Sequence, residues 1–578
     1  MPLVPIDVPP GVVRRATPLQ SAGRYWDSNL IRWRSGKLLP VGGWSRIASS
    51  PLTTTPFAIF SWKTNNSVAL TLIGGDTKLF SLEGSTYTDI TPDGFVTSAA
   101  SQFGAYGGYN YGALLYGDDT DPTYPRPPSA QFLLPFSWTM DNWGGDVLLV
   151  ASSDGRLLHF EEGEATANEV GVANIVTAIR TSNVITVTTT ENHGFANVDS
   201  VVIAGVSVGS MNGTYTITSV PSLTTLTYAN PGTNATGTGG TASTLIPCPV
   251  DNRGVFVTPE RYAVLFGAGG NTRRVAWSNQ EDYTNWDFAN VATTAGFLDL
   301  DTSDSIIMAA GVREGTLIWT NNEAWIMRYI GLPFVYSIER IGQGCGLMAP
   351  QSFATTAGRC IWMGKEGFWL YDGGVVKPLP CDVGSYVFEE LDPNSGALYT
   401  HGSDNGVFPE AWFWYPSLGS ATPDRYVIYN YAEGWWSIGE MERTASSPAG
   451  VYIHPILGAS DGNLYFHEDG WTDAGVPITT DRYAETASIN VLSGNRIANI
   501  TQAITDSGYS YDNTSLTFFS TFAPQGAETS FGPYISRPDG YTDMRVSGRD
   551  FRVKVESTKD EEWSIGAMRL EVKPGGQR

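Results

Sequence analysis

The chain has 578 residues, of which 42% are hydrophobic and 16% charged, with 64 glycines and 34 prolines. Helical proteins contain more Ala, Glu, Lys and Leu and avoid this much glycine, so the composition predicts an all-β protein. A net charge of −23 argues against direct nucleic-acid recognition, because affinity for phosphates comes from Lys and Arg. No run approaches the ~18–20 apolar residues of a membrane-spanning helix, and the opening MPLVPIDVPPG lacks the basic and apolar regions of a signal peptide.

Charge is distributed unevenly along the chain. Residues 1–50 carry seven basic and two acidic residues, net +5, and residues 545–578 are net +2, which leaves −30 for the remainder. One interpretation is a soluble acidic protein whose ends happen to be basic; the other is that basic ends contact partners while an acidic body repels polyanions. We predict an N-terminal arm with platform strands over residues 1–50.

A hairpin unit recurs over residues 51–167 and 247–475. Each copy is an apolar strand, a tight Gly/Asp/Asn turn and a second strand rich in aromatic residues. The copies centre on Gly75, Gly155, Gly269, Asn322, Gly367 and Gly462, with a further one at Gly434. Their mean spacing of about 51 residues, after removal of one insert, is close to the ~40–50 residues of propeller blades. We therefore predict a β-propeller body of five to seven blades; a β-sandwich or a string of unrelated hairpins is the alternative.

Residues 168–246 differ from their surroundings. They contain no lysine and many threonines, arranged as alternating Val/Ile/Thr segments between Gly, Asn and Pro. This pattern predicts a small β-sandwich or barrel inserted into the propeller, since exposed loop tips tolerate insertions.

Residues 476–578 lack the repeated hairpin and predict a C-terminal β-domain. The segment FRVKVES alternates, so that Phe551, Val553 and Val555 share one face of a strand. In the following WSIGAMRLEVK the alternation shifts at Gly566–Ala567, which indicates a bulge. We also predict a long surface loop from Phe103 to Trp143.

Candidate catalytic and metal-binding patterns are weak. Ser207 lies in GVSVG, but turn and strand residues follow it where a nucleophile elbow needs a helix. Oxygen-rich loops can bind calcium, and they occur here as GDDTDP and DLDTSD, although solvated turns are commoner. The candidate calcium ligands are Asp118, Asp119 and Asp121 in the first loop and Asp299, Asp301 and Asp304 in the second.

Histidine and cysteine spacing gives no site. The histidines lack the spacing of zinc ligands, and the cysteines lack CxxC spacing and predict free thiols. They are His159, His193, His401, His454 and His467, and Cys248, Cys345, Cys360 and Cys381. We predict no catalytic residue, no metal and no cofactor.

A glycosidase is the strongest enzymatic alternative, because acidic pairs and surface tryptophans suit carbohydrate chemistry. Propeller sialidases repeat an S-x-D-x-G-x-x-W motif. Here SSDGRLLHF and ASDGNLYFHE place Gly one residue too early and lack the tryptophan, so they are better interpreted as hairpin turns.

The stretch PGVVRRATPLQSAGRYWDSNLIRWRSGKLLPVGGWSRI resembles the opening of tail nozzle and stabilisation proteins of short-tailed bacteriophages. Those open with a polar arm, an N-x-[IV]-R-[WF] core, a Gly-Lys/Arg hairpin and G-G-W/Y. The matching residues are Asn29, Ile31, Arg32, Trp33, Gly36, Lys37, Gly42, Gly43 and Trp44. The ending RVSGRDFRVKVES…EEWSIGAMRLEVKPGGQR resembles the same group, with a Gln before the final Arg as a departure.

The resemblance implies a non-enzymatic tail nozzle subunit of a phage virion, assembled in the host bacterial cytoplasm into a ring of six copies below the portal and adaptor proteins. The implied partners are other copies of the chain, the adaptor and portal proteins, tail fibres or a needle, and the host envelope. Genomic DNA would pass through the ring without being bound specifically. The predicted partner interface comprises Arg14, Arg15, Arg24, Tyr25, Arg32, Trp33 and Arg34. A tail fibre or receptor-binding protein, and a host polysaccharide depolymerase, remain the alternatives.

Overall fold

The computed structural model describes residues 3–14, 20–97, 136–356, 358–492, 496–523 and 526–576. The chain divides into two compact units. The terminal unit comprises residues 1–59 and 351–578, and the middle unit comprises residues 60–350.

The middle unit contains four sheets of four strands, apart from residues 56–59 of the first strand, which are counted with the terminal unit. In each sheet, strands that follow one another in the chain pair with each other. Their strands are β6 (Pro56–Lys63), β7 (Ala69–Gly75), β8 (Leu79–Glu83) and β9 (Thr86–Asp89); β10 (Trp138–Trp143), β11 (Asp146–Ala151), β12 (Leu158–Phe160) and β13 (Asn168–Glu169); β21 (Gly254–Val257), β22 (Ala263–Phe266), β23 (Arg274–Trp277) and β24 (Gly296–Asp299); β25 (Ile306–Val312), β26 (Gly315–Thr320), β27 (Glu323–Gly331) and β28 (Val335–Gln343).

The terminal unit contains three more four-stranded sheets. Their strands are β29 (Phe353–Thr356), β30 (Arg359–Met363), β31 (Phe368–Tyr371) and β32 (Val376–Leu379); β33 (His401–Asp404), β34 (Glu410–Tyr415), β35 (Arg425–Asn430) and β36 (Trp435–Glu440); β37 (Ala445–Ser447), β38 (Ile456–Gly458) and β39 (Leu464–His467) with β5 (Trp44–Arg46). The seven sheets within the described residues confirm the predicted all-β propeller fold.

The predicted turns occupy equivalent places in these sheets. Six of the seven connect the second strand of a sheet to the third, and the turn at Gly434 connects the third strand to the fourth. The hairpin repeat therefore marks one blade each time.

The last blade of the terminal unit is built from both ends of the chain. Strand β5 pairs antiparallel with β39, Ser45 opposite Phe466 and Trp44 opposite His467. Residues 44–46, which the sequence assigns to an N-terminal platform, complete this blade and cover an edge of β39 that would otherwise be unpaired.

Blade strands are buried on both faces, which explains their continuous apolar sequences. All six residues of β34, EAWFWY, are buried, as are the last six of β7. A strand covered on both sides has no polar face, so its sequence does not alternate.

The Thr-rich segment forms a separate seven-stranded sheet within the middle unit. Its strands are β14 (Val172–Thr181), β15 (Val184–Thr189), β16 (Ser200–Ala204), β17 (Gly213–Ser222), β18 (Thr225–Ala229), β19 (Ala235–Thr238) and β20 (Thr241–Thr244). Strand β14 pairs with both β15 and β20, which closes the sheet around a core that includes Ile185, Val201 and Leu226. This is the predicted small inserted β-domain.

The two ends of the chain share two further sheets in the terminal unit. The six-stranded sheet holds β1 (Leu3–Ile6), β3 (Ile31–Arg34), β4 (Lys37–Pro40), β41 (Ala498–Ser507), β44 (Tyr541–Gly548) and β46 (Ile565–Pro574). The five-stranded sheet holds β2 (Tyr25–Asn29), β40 (Tyr483–Thr486), β42 (Thr514–Thr521), β43 (Thr529–Ile535) and β45 (Asp550–Ser557). The predicted packing of the terminal β-domain with the N-terminal arm is thus direct strand pairing.

Side-chain alternation in these sheets matches the sequence pattern. Phe551, Val553 and Val555 are all buried on one face of β45. The register of β46 against β41 shifts between the Thr505 and Ser507 pairs, opposite Met568 and Ile565, where the alternation of the sequence breaks.

Helices are short. The described residues contain α1 (Gly384–Glu390), α2 (Gly396–Tyr399) and 3-10 turns at Gly209–Met211, Ala268–Gly270, Thr479–Asp481 and Tyr511–Asn513. Among the described residues no helix has the length and apolar character needed to cross a membrane.

The predicted surface loop from Phe103 to Trp143 is wrong at its end, because Trp138–Trp143 forms strand β10 and pairs with Asp146–Ala151. Most of that loop, including Asp118, Asp119 and Asp121, lies outside the described residues.

Candidate functional site

The residues predicted to form a partner interface lie in the terminal unit, and they fall into an accessible group and a buried group. The guanidinium of Arg14 stacks 3.8 Å from the Tyr386 ring centroid, and its Nη1 lies 3.5 Å from Asp27 Oδ1. Arg24 Nη2 donates to the Pro10 carbonyl at 3.2 Å. Arg34 is exposed at the end of β3. Arg15 lies outside the described residues.

Tyr25, Arg32 and Trp33 are buried, which corrects their assignment as side chains that contact a partner. The Tyr25 and Trp33 rings pack 5.2 Å apart between centroids, and burial raises the pKa of Tyr25 to about 12. Arg32 is 4% exposed, and its guanidinium binds groups of its own unit. A partner cannot reach these three groups without unpacking the strands that hold them.

Arg32 lies at the centre of a buried charge cluster, defined here as Arg32, Glu410 and Glu468. Arg32 Nε lies 2.9 Å from Glu410 Oε1, and its Nη2 donates to Glu410 Oε2 at 3.1 Å. Its Nη1 donates to Glu468 Oε2 at 3.1 Å, and Nη2 also donates to Glu468 Oε1. One face of the guanidinium lies 3.7 Å from the centroid of the Phe408 ring. Bidentate pairing of this kind uses the planar fork that arginine has and lysine lacks.

Further hydrogen-bond donors contact the carboxylates of Glu410 and Glu468. Trp412 Nε1 donates to Glu410 Oε2 at 3.0 Å. Asn405 Nδ2 donates to Glu468 Oε1 and the Gly42 amide to Glu468 Oε2, each at 3.1 Å. The protein's own groups therefore satisfy both carboxylates, as buried charges require.

The two carboxyl groups have pKa values shifted in opposite directions. Burial raises the pKa of Glu410, against the attraction of Arg32. Burial also acts to raise the pKa of Glu468, but Arg32, Asn405 and the Gly42 amide hold it below its ordinary value. For Arg32, burial acts to lower the pKa and the two carboxylates outweigh it, so the pKa is raised and the side chain stays charged.

A small pocket adjoins the cluster. Its lining residues are Ser403, Asp404, Asn405, Trp412, Trp414, Ser446, Pro455, Leu457, His467 and Glu468.

The histidine of this pocket is held neutral. The Arg443 guanidinium donates from Nε to His467 Nε2 at 2.9 Å. Burial, and then repulsion from Arg443, lower the pKa of His467 well below its ordinary value. Arg443 itself lies over the rings of Trp44 and Tyr465, 5.0 and 4.8 Å from their centroids. A neutral imidazole used as an acceptor fits a packing role in this blade.

The cluster links three elements of the terminal unit. Arg32 comes from β3, Glu410 begins β34 of one blade, and Glu468 directly follows β39 of the next. One guanidinium thus joins the N-terminal strands to two blades. Arg482 is a second buried arginine: it is fully buried, donates from Nε to Val41 O at 3.2 Å and pairs through Nη1 with Asp560 Oδ1 at 3.1 Å.

The other candidates from the sequence lie apart from this cluster. The Ser207 hydroxyl accepts the Thr238 amide at 2.9 Å in the inserted domain. Asp299 pairs with Arg274, Nε to Oδ1 at 2.8 Å, and Asp304 accepts from Asn321 at 2.9 Å. Among the described residues, no three His, Cys, Asp or Glu side chains are grouped so as to hold a metal ion. The four cysteines are free thiols.

The sequence did not reveal Glu410 and Glu468 as partners of Arg32, because they are 378 and 436 residues away from it along the chain. A weak signal exists: each carboxylate flanks a strongly apolar aromatic strand, EAWFWY and LYFH. A carboxylate buried beside such a strand either pairs with a cation or has its pKa raised.

Comparisons with known proteins do not identify a family for this chain. No family model matches, and no curated protein matches. Among solved structures, the Pan2 WD40 domain of Neurospora crassa is 9% identical, with 58% of this chain and 90% of that chain covered at a TM-score of 0.28. YCF48 from Cyanidioschyzon merolae is 7% identical, with 74% and 98% covered at 0.34. A catalytically inactive virginiamycin B lyase from Staphylococcus aureus with quinupristin is 11% identical, with 58% and 96% covered at 0.27.

Proposed function

We propose that this protein is a structural tail nozzle subunit of a phage virion and not an enzyme. The observation that carries the proposal is the pairing of the two chain ends that resemble nozzle proteins. Leu38 of the N-terminal motif pairs with Ile565 of the C-terminal one, and Leu3–Ile6, just before the N-terminal motif, pairs with Met568–Glu571 in the same sheet. The two terminal motifs that carry the resemblance therefore contribute strands to one sheet of the terminal unit.

The buried charge cluster supports a scaffold role for that body. Arg32 belongs to the N-terminal motif, and its partners come from two blades. A motif arginine used in this way fixes the N-terminal strands against blades. A subunit that passes force or a translocating polymer benefits from such cross-linking.

The proposed assembly is a ring of six copies below the adaptor and portal proteins, with tail fibres or a needle as further partners. Three basic side chains at the N-terminal end are the proposed contacts to the ring above: Arg14 and Arg24, which are half-buried, and Arg34, which is exposed. Genomic DNA would pass without specific binding, because a chain of net charge −23 repels phosphates.

Negative-stain imaging of the purified protein with its adaptor complex tests the proposal. A six-fold ring attached to the adaptor is the expected result. A free trimer that binds whole host cells would instead favour a receptor-binding protein, and release of sugar from host envelope would favour a depolymerase.

A further inference from the structure

The hairpin of β27 and β28 in the middle unit ends in an exposed apolar tip, defined here as Ile330, Leu332 and Phe334. These side chains are 55%, 68% and 74% exposed. Tyr329, just below them, is 41% exposed. Single exposed apolar residues are ordinary, but four within six positions at the end of one hairpin form an apolar patch.

Charge is absent from the end of this hairpin. No residue from Tyr329 to Ile338 is charged. The first charges are an ion pair at its base, in which Arg328 Nη1 lies 3.0 Å from Glu339 Oε2. At about 3.4 Å per residue, Leu332 and Phe334 extend roughly 10 Å beyond that pair.

The tip stands on a fixed aromatic base. The Tyr329 and Tyr336 rings lie 5.7 Å apart, and the Tyr262 ring lies 5.4 Å from that of Tyr336. The Tyr336 hydroxyl is hydrogen-bonded to Thr258 Oγ1 at 2.8 Å. Val335 is held at φ +62°, in the left-handed region that a β-branched residue avoids. A strained backbone on a rigid base preserves the outward direction of Leu332 and Phe334.

We propose that this apolar tip inserts into the surface of an electrically neutral lipid bilayer. Two features favour lipid over a protein pocket: the patch is uncharged, and its reach of roughly 10 Å matches the ~5–10 Å depth of interfacial insertion. Tyrosines at its base then lie where aromatic side chains favour the headgroup region. The chain's net charge of −23 selects against anionic lipid. This inference does not depend on the nozzle proposal, because lipid binding by the hairpin requires no ring.

Co-sedimentation of the full-length protein with sucrose-loaded vesicles tests the inference. We expect binding to vesicles of phosphatidylcholine and phosphatidylethanolamine, and weaker binding when phosphatidylglycerol is added. Replacing both Leu332→Ser and Phe334→Ser should weaken the partition about tenfold or more, because each side chain gains its stabilisation by leaving water.

The matched control is Leu223→Ser, at a leucine of the same unit that is 71% exposed and lies in the inserted domain. It should leave binding unchanged. A fluorescent label at Leu332→Cys, compared with one at Leu223→Cys, should report an apolar environment only when vesicles are added. Equal binding by the double variant and the unaltered protein would overturn the inference, as would the absence of vesicle binding, which would leave a protein pocket as the occupant.

Discussion

The guanidinium of Arg32 lies between two buried carboxylates, and its loss would leave both without their cation. Breaking a buried ion pair by removing one partner costs about 3–5 kcal/mol, because the remaining charge is uncompensated. We expect Arg32→Met to destabilise the protein by about that amount in chemical denaturation.

Arg34 provides the control for Arg32, because it lies in the same strand with an exposed side chain. Arg34→Met should change stability by less than about 0.5 kcal/mol. Adding Glu410→Gln to Arg32→Met should restore part of the loss. Equal losses of stability in Arg32→Met and Arg34→Met would contradict the conclusion that the buried charge cluster holds the N-terminal strands against the blades.

A second group of buried acids, in the middle unit, makes stability depend on pH. Burial raises the pKa of Glu164 to about 7 and that of Asp146 to about 6, and Glu161 repels both. The unfolded chain loses these protons at lower pH than the folded protein does. It therefore binds fewer protons between about pH 4 and 7, and this contribution to stability falls as pH rises through that window.

Glu164→Gln tests the pH dependence by difference, because His159 in the same blade has its pKa lowered to about 4 by burial and titrates in the opposite sense. The melting temperature of Glu164→Gln relative to the unaltered protein should rise from pH 5 to pH 7.5. A flat or falling difference for Glu164→Gln would refute the assignment.

Two glycines in hairpin turns allow two contributions to stability to be measured separately: the cost of a side chain at positive φ, and the cost of a steric clash. Gly434 and Gly462 have nearly the same φ, +80° and +81°. A Cβ on Gly434 would meet no atom within 4 Å, whereas one on Gly462 would lie 2.5 Å from the Leu52 carbonyl oxygen.

Alanine at the two turns should therefore have different effects. Gly434→Ala should cost about 1 kcal/mol, the penalty of a side chain in the left-handed region. Gly462→Ala should cost about 1–3 kcal/mol more, because the loop through Leu52 must move. Thermal unfolding of both variants measures this difference, and equal losses would count against the packing of residues 52 and 462.

The blade hairpins could be predicted from the sequence because their signal is local. Turn residues between two apolar strands act over about ten positions, and all seven predicted turns lie inside four-stranded sheets. The pairing of β5 with β39 and of β1 with β46 could not be predicted, since each joins segments more than 400 residues apart. The burial of Arg32 was missed for the same reason: basic residues near a terminus usually face solvent, and its partners lie far away along the chain.

At the scale of the whole molecule, composition and fold agree while function rests on the terminal motifs. The low charged fraction and many glycines are those of a protein made of blades. The assembly into a ring is the part of the account that neither unit contains by itself. It predicts that the surface of the N-terminal arm gains a partner only in the presence of the adaptor proteins.

The most direct test of that central claim is the native mass of the particle formed when the 62.5 kDa chain is mixed with its adaptor complex. We expect six copies to add to the adaptor complex as a single ring, and we expect the exchange of Arg14 and Arg24 together for Glu to prevent the addition without unfolding the protein. A chain that remains at 62.5 kDa beside an intact adaptor complex would contradict it.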